Sequence, residues 1–134
     1  MWRVMLALVV SIGLSGASAA QQPPLRDVPK IDDGLFVVGL ADQIRKQCPT
    51  ISARFFRALG VLRDLERDAR AMGYTEDEVE RHLNSDVEKN RLRARAADYM
   101  TARGFGRNED GYCALGRSEI AQGSEIGALL RAQN

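Results

Sequence analysis

The chain has 134 residues, of which 45% are hydrophobic, and its 19 lysines and arginines almost balance 18 acidic residues. This length suits one small domain with a modest core. The balanced, interleaved charges argue against a nucleic-acid-binding protein, which would carry a strongly basic face. With only two cysteines, Cys48 and Cys113, and a single histidine, neither a C-x-x-C redox site nor a zinc cluster is expected.

Residues 1–20 have the pattern of a secretory signal peptide. Arg3 supplies the positive charge, an apolar run extends to Leu14, and Ala17-Ser18-Ala19 fits a cleavage site. The apolar run is about half the length that a membrane-spanning helix needs, so an uncleaved anchor is the weaker interpretation. We therefore expect cleavage after Ala19 or Ala20 and a periplasmic protein.

The next segment, residues 21–32, carries Pro23, Pro24 and Pro29. Proline disfavours helix in its own position and in the residue before it, so we expect an extended strap here. Asp33 then fits the N-cap of a first helix, and residues 33–134 are expected to form one helical domain.

Apolar residues recurring every three or four positions predict four to five helices in this domain. The first two expected helices cover residues 34–47 and, after a Ser52 cap, residues 53–72. The third begins at a capping box formed by Thr75–Glu78 and runs to Arg103. A fourth helix covers residues 112–122, and a short last helix follows Ser124. At Asn84-Ser85-Asp86 a break in the third helix is as well supported as a continuous helix. No alternating strand pattern is found, so the expected fold class is an all-α small bundle.

Glycines add two packing expectations. Gly60 lies inside the second helix, where it permits a neighbouring helix to approach closely. Gly116, Gly123 and Gly127 favour close packing of the last helices or a docking face for a partner.

The two cysteines of an exported chain most simply form one disulfide, Cys48–Cys113. Free thiols or a bond between two chains are the alternatives. The intramolecular bond would clamp the helices between the cysteines, and closing so long a loop is worth ~4 kcal/mol in the chain-entropy model.

Two sets of polar side chains are candidate sites. Glu78 and His82 stand four residues apart, a spacing that places two metal ligands on one helix face, but no third ligand is evident and a solvated charge pair is the better interpretation. Arg91 and Arg95 share a helix face from which Arg93 points away. An anion site there is the weaker interpretation, and a solvated face is the better one.

Aromatic residues offer one further candidate. Phe55-Phe56 and Tyr99-Met100 together would line a small apolar pocket for a lipid or cofactor, although aromatics at helical spacing usually belong to the core. No motif with a catalytic mechanism is present. We therefore predict no catalytic, cofactor-binding or metal-binding residue, no cofactor, and no enzymatic activity.

The chain as a whole resembles a domain-of-unknown-function family of small exported bacterial proteins. The matching stretches are Pro24-Leu25-Arg26-Asp27, Ile31-Asp32, Ile51-Ser52-Ala53-Arg54-Phe55-Phe56, Gly73-Tyr74, Arg93-Ala94-Arg95-Ala96, Tyr99-Met100, Ala102-Arg103-Gly104, Cys113-Ala114-Leu115-Gly116, Glu119-Ile120-Ala121 and Gly123-Ser124. The resemblance implies an α-helical secreted domain that keeps both cysteines, and it carries over no catalytic residue. It also implies an accessory or assembly role facing the periplasm, because genes of this family often lie beside those of respiratory complex I.

These observations lead to a predicted function with one alternative. We expect a periplasmic interaction protein that docks on a protein partner, such as a membrane complex of the respiratory chain, and that has no nucleic-acid partner and no transmembrane segment after cleavage. The alternative is a periplasmic carrier of small ligands or a stress chaperone. A concentrated exposed apolar patch would favour the first, and a closed apolar cavity would favour a carrier.

Overall fold

A computed structural model of the chain describes residues 22–134, and the predicted signal peptide lies outside this range. The elements in this part follow the order 3₁₀ turn (Leu25–Asp27), α1 (Pro29–Gln47), β1 (Ile51–Ala53), α2 (Phe55–Ala71), α3 (Glu76–Asn84), α4 (Asp86–Ala102), α5 (Glu109–Gln122), α6 (Glu125–Ala128) and β2 (Leu130–Ala132). The predicted all-α class is therefore confirmed, with five longer helices and one of a single turn. Within residues 22–134 no helix is both long and apolar enough to cross a membrane.

Helix α1 lies at the centre of the fold. Helices α2, α4 and α5 all pack on it, whereas α2 and α4 make few contacts with each other. The main core surrounds the second half of α1, and its most completely buried side chains are those of Leu40, Ile44, Cys48, Met100, Leu115 and Leu130. A second apolar cluster joins the 3₁₀ turn and the first half of α1 to α2 and α3.

The predicted Cys48–Cys113 disulfide is present, with the two Cα atoms 5.1 Å apart. It ties the residue after α1 to the start of α5, and both cysteines are buried. Disulfides persist in oxidising compartments, so this bond indicates a protein that acts outside the cytoplasm.

Three helix starts differ from the predictions. Helix α1 begins at Pro29 with Val28 as N-cap, so the expected extended strap ends earlier and Asp33 is not the cap. Proline is well accommodated in the first turn of a helix, where its missing N–H has no helical partner anyway. Ser52 lies in β1 and is not a helix cap, so α2 begins at Phe55. Helix α5 begins at Glu109, three residues before the predicted start, because the Asn108 side chain caps it and accepts a hydrogen bond from Gly111 N–H at 2.8 Å.

The expectation of no strand was also wrong for two short segments. Strands β1 and β2 pair antiparallel, with Ile51 opposite Ala132 and Ala53 opposite Leu130. Each has three residues, too few for an alternating pattern to be seen in the sequence.

One other local signal was confirmed, and the structure decides between two alternatives that the sequence left open. Thr75 and Glu78 form both bonds of the capping box, at 3.2 and 2.7 Å. The third predicted helix is broken, because the Ser85 hydroxyl accepts from Glu88 N–H at 3.3 Å and thereby begins α4.

The glycine expectations had mixed outcomes. Gly123 ends α5 in the left-handed region with φ of 64°. A Cβ at Gly116 would overlap the side chains of Ile51 and Ile44, and one at Gly127 would overlap the Glu119 carbonyl, so close packing at the last helices is confirmed. Gly60 has no close neighbour, because among residues 22–134 no atom would lie within 4 Å of a Cβ at this position.

Candidate docking groove

A solvent-open groove runs along one side of α1, in the gap between α2 and the α3–α4 arm. It has a volume of about 810 Å³. Its lining is mostly apolar and comprises chiefly Leu35, Val38, Gly39 and Ala41 of α1, Phe55, Ala58, Leu59 and Leu62 of α2, and Leu83 and Leu92 of the α3–α4 arm. We call this feature the docking groove.

Phe55 and Phe56 stand at the start of α2, beside the groove. They are 66% and 85% exposed, and their rings meet edge to face with centroids 5.5 Å apart. The expectation that these aromatics belong to the core is therefore wrong. Phe55 lines the groove, and Phe56 extends the apolar surface beyond it.

The start of α2 is fixed by the polar bonds of two arginines. The Arg54 N–H donates to the Leu129 carbonyl at 2.8 Å, and its Nε donates to the Leu130 carbonyl at 3.1 Å. The Arg57 guanidinium donates to the Ala128 carbonyl at 3.0 Å. Both arginines thus hold α2 against the C-terminal segment, which places the two phenylalanines at a defined position on the surface.

Within residues 22–134, Tyr99 and Met100 do not line the groove with Phe55, so the alternative of a shared pocket is wrong and these two residues belong to the core, as expected. Met100 is fully buried in the main core. Tyr99 packs against Phe36 and donates its hydroxyl to Glu119 at 2.6 Å. Burial, together with this bond to a carboxylate, raises the pKa of Tyr99.

Arg91 and Arg95 share a face as predicted, but this face is not simply solvated. Both donate to the buried carboxylate of Asp32, and Arg91 Nε also donates to Glu88 at 2.9 Å. Arg26 from the 3₁₀ turn forms a second bond to Glu88. Burial alone would raise the pKa of Glu88, but the bonds from Arg91 and Arg26 outweigh it and lower that pKa. This ion cluster ties the start of α4 to the start of α1.

Glu78 and His82 do not form the predicted charge pair. Glu78 accepts the Thr75 N–H in the capping box. His82 lines the docking groove, and its Nε2 is enclosed without a hydrogen-bond partner among the described residues. Burial lowers the pKa of His82, although the nearby Glu88 carboxylate opposes the shift. Within residues 22–134 no group of three or more histidine, cysteine or acidic side chains is placed to hold a metal ion.

The sequence reasoning missed the docking groove itself. Helical periodicity marks the apolar face of α2 but does not say whether another element covers that face. Gly39 of α1 is the sequence feature that marks this open space, because it is a glycine inside a helix and, among residues 22–134, no atom would lie within 4 Å of a Cβ there.

Comparison with known proteins gives one match. The sequence model of a family described as "Family of unknown function (DUF5333)" matches residues 23–131, nearly all of the described chain. No curated protein and no solved structure matches the chain significantly. The chain therefore belongs to the DUF5333 family.

Proposed function

We propose that this chain is a periplasmic interaction protein that holds an apolar helical segment of a partner protein in the docking groove. The observation that carries the proposal is the exposed pair Phe55 and Phe56 at the edge of an open apolar groove. Exposed apolar surfaces of this kind commonly mark interaction sites. The proposal includes no enzymatic activity.

The dimensions of the groove suit a helix. Its lining on α2 runs from Phe55 to Glu66, which corresponds to about 16 Å at 1.5 Å per residue. About three turns of a partner helix fit this length, and an amphipathic helix would present its apolar residues at i, i+3, i+4 and i+7. Such a helix would occupy the gap that α2 and α4 leave above α1.

The compartment and the partner class are part of the proposal. The disulfide and the signal-peptide pattern support a periplasmic location. The family resemblance supports a partner within a membrane complex of the respiratory chain, which this protein would serve as an accessory or assembly factor.

The test is a quantitative pull-down of the tagged, exported chain from periplasm and gently solubilised membranes. Wild type is compared with a Phe55→Ser/Phe56→Ser variant, and the captured proteins are identified by mass spectrometry. Each exposed phenylalanine is worth about 1.5–3 kcal/mol when an interface buries it fully. The double variant should therefore fail to capture a partner that wild type captures in stoichiometric amount. The purified partner should rebind to wild type and not to the double variant.

The matched control is a Met72→Ser/Val87→Ser variant. These two residues are also exposed, at 41% and 68%, and neither lines the docking groove. The control should retain the partner. If the wild type is recovered alone, or if both variants retain the partner equally, the groove is not the docking site and the proposal is refuted.

A carrier or chaperone is the second candidate, because about 810 Å³ is within the range of small-molecule sites. The open side of the groove favours a protein segment over an enclosed ligand. Native mass spectrometry of the purified exported chain separates the two, since a carrier would bring a bound small molecule in stoichiometric amount. Apolar-dye binding that rises from neutral to acid pH would instead favour the chaperone.

A further inference from the structure

A second cavity adjoins the docking groove across the start of α4. It has a volume of about 720 Å³ and lies between α1, α4 and α5. The two share Gly39, Asp42, Lys89 and Leu92 in their linings. The two cavities therefore meet at these four residues, beside Gly39.

The second cavity is basic. Its charged lining residues are Lys46, Lys89, Arg93 and Arg107, opposed by the single carboxylate of Asp42. Asp42 is already bound by Arg45 at 2.5 Å and by Lys46 at 2.6 Å. We call this feature the basic cavity.

Three of its cations are uncompensated. Among residues 22–134, no carboxylate oxygen lies within 4 Å of the charged nitrogens of Lys89, Arg93 or Arg107. Within the described part of the chain, Arg93 donates only to the Asn90 amide oxygen, at 2.9 Å. Arg91 on the same helix is instead bound to two carboxylates, so the charge of the basic cavity is not shared by all of α4.

We infer, building on the proposed function, that the partner helix is acidic at the end that leaves the docking groove past Gly39, where its carboxylates meet Lys89, Arg93 and Arg107. The apolar groove supplies the binding energy of the helix. The basic cavity sets its direction, because only one orientation brings acidic residues to the cations.

The probes are two fluorescein-labelled helical peptides of about 18 residues. They share one leucine-rich face over three turns, and one ends in three glutamates where the other ends in three lysines. Binding to the mature wild-type chain is measured by fluorescence anisotropy at low and high salt. We expect the glutamate peptide to bind roughly tenfold more tightly at low salt, since each exposed charge pair contributes up to about 1 kcal/mol. The advantage should shrink as salt screens the charges.

Charge reversal tests the cations directly. Lys89→Glu/Arg107→Glu should cancel or invert the preference for the glutamate peptide. The control variant Arg63→Glu/Arg117→Glu changes the net charge equally at exposed positions outside both cavities and should leave the preference unchanged. All four residues are exposed, so each variant is expected to fold, as circular dichroism would check.

A pair of glycine variants separates the two proposals. Gly39 and Gly60 both lie inside helices with open space at their Cβ positions, but only Gly39 lines the docking groove. Gly39→Leu should abolish binding of both peptides, and Gly60→Leu should not. If neither peptide binds wild type, the docking proposal itself fails. If both bind equally and Gly39→Leu still blocks them, the groove stands and the acidic partner is refuted.

Discussion

Replacing both cysteines with alanine should remove about 4 kcal/mol from the free energy of unfolding. Cys48 and Cys113 are separated by 65 positions, and for a closed loop of that length the chain-entropy model gives about 4 kcal/mol at 25 °C. Alanine leaves no polar group at these buried positions, so the loss of unfolding free energy comes mainly from the greater conformational entropy of the unfolded chain without the cross-link. The loss is large beside the roughly 5–15 kcal/mol of total stability that small domains have.

The assay is urea unfolding followed by circular dichroism. Three samples are compared: oxidised wild type, reduced and alkylated wild type, and the Cys48→Ala/Cys113→Ala variant. The variant should show a lower midpoint and a steeper denaturant dependence, since its unfolded state exposes more surface. Intact mass should show both cysteines protected from alkylation until reduction. A loss below about 1 kcal/mol would refute the reasoning that the bond clamps the domain.

Three further changes test the ion cluster, the enclosed histidine and the glycines. Glu88→Gln should cost about 2–3 kcal/mol in urea unfolding, since it removes the carboxylate that binds both Arg26 and Arg91. Because the pKa of Glu88 is lowered in the folded protein, this carboxylate stabilises the fold fully above pH 4.5, and the stabilisation is lost as the pH falls through the pKa of the folded state. The stability of the Glu88→Gln variant should therefore depend less on acid pH than that of wild type, and an unchanged dependence would contradict this. His82 also has a lowered pKa, so below pH 6.5 the unfolded chain takes up a proton more readily than the folded chain, and the free energy of unfolding should fall. His82→Gln should flatten the plot of unfolding free energy against pH between pH 7 and 5. NMR can follow the titration of the chain's single histidine directly. Gly60→Ala should stabilise the protein by about 0.5–1 kcal/mol, because the added Cβ lies in open space. Gly116→Ala should destabilise it by about 1–3 kcal/mol, because the added Cβ overlaps Ile51. Thermal melts in which both variants shift the melting temperature in the same direction would show that this packing argument is wrong.

What the sequence predicts well is set by local physics. The capping box at Thr75 and the helix end at Gln122 before Gly123 depend on residues within one helical turn, and both are present. The Ser85 cap is equally local, but the sequence supported a break and a continuous helix there alike. The all-α class follows from apolar periodicity, which is likewise local. The start of α1 differs from the prediction because proline, which breaks a helix in its interior, fits the first turn.

The burial of individual side chains and the partners of the charged ones are not predicted from the sequence, because both depend on which elements pack against each other. Phe55 and Leu65 belong to the same helix, yet Leu65 is buried under α1 and Phe55 is exposed. The arginines of α4 show the same dependence. Arg91 and Arg93 are two residues apart, but Asp32 of α1 reaches only the face of Arg91. Charge spacing alone gave a solvated face for Arg91 because Asp32, one of the two carboxylates that bind it, lies 59 residues earlier in the chain.

The docking groove has walls that are held independently of anything bound in it. The α2 wall is fixed where Arg54 and Arg57 bond to backbone carbonyls of the C-terminal segment, and the α4 wall is fixed where Arg91 and Arg95 bond to Asp32. Neither set of bonds crosses the groove, so the space between α2 and α4 does not depend on contacts that a partner would have to break. A preformed site of this kind lowers the ordering cost of association. The exposed phenylalanines then stand at a fixed place beside an open apolar surface, which is an arrangement suited to binding a helix rather than to completing this domain's own core.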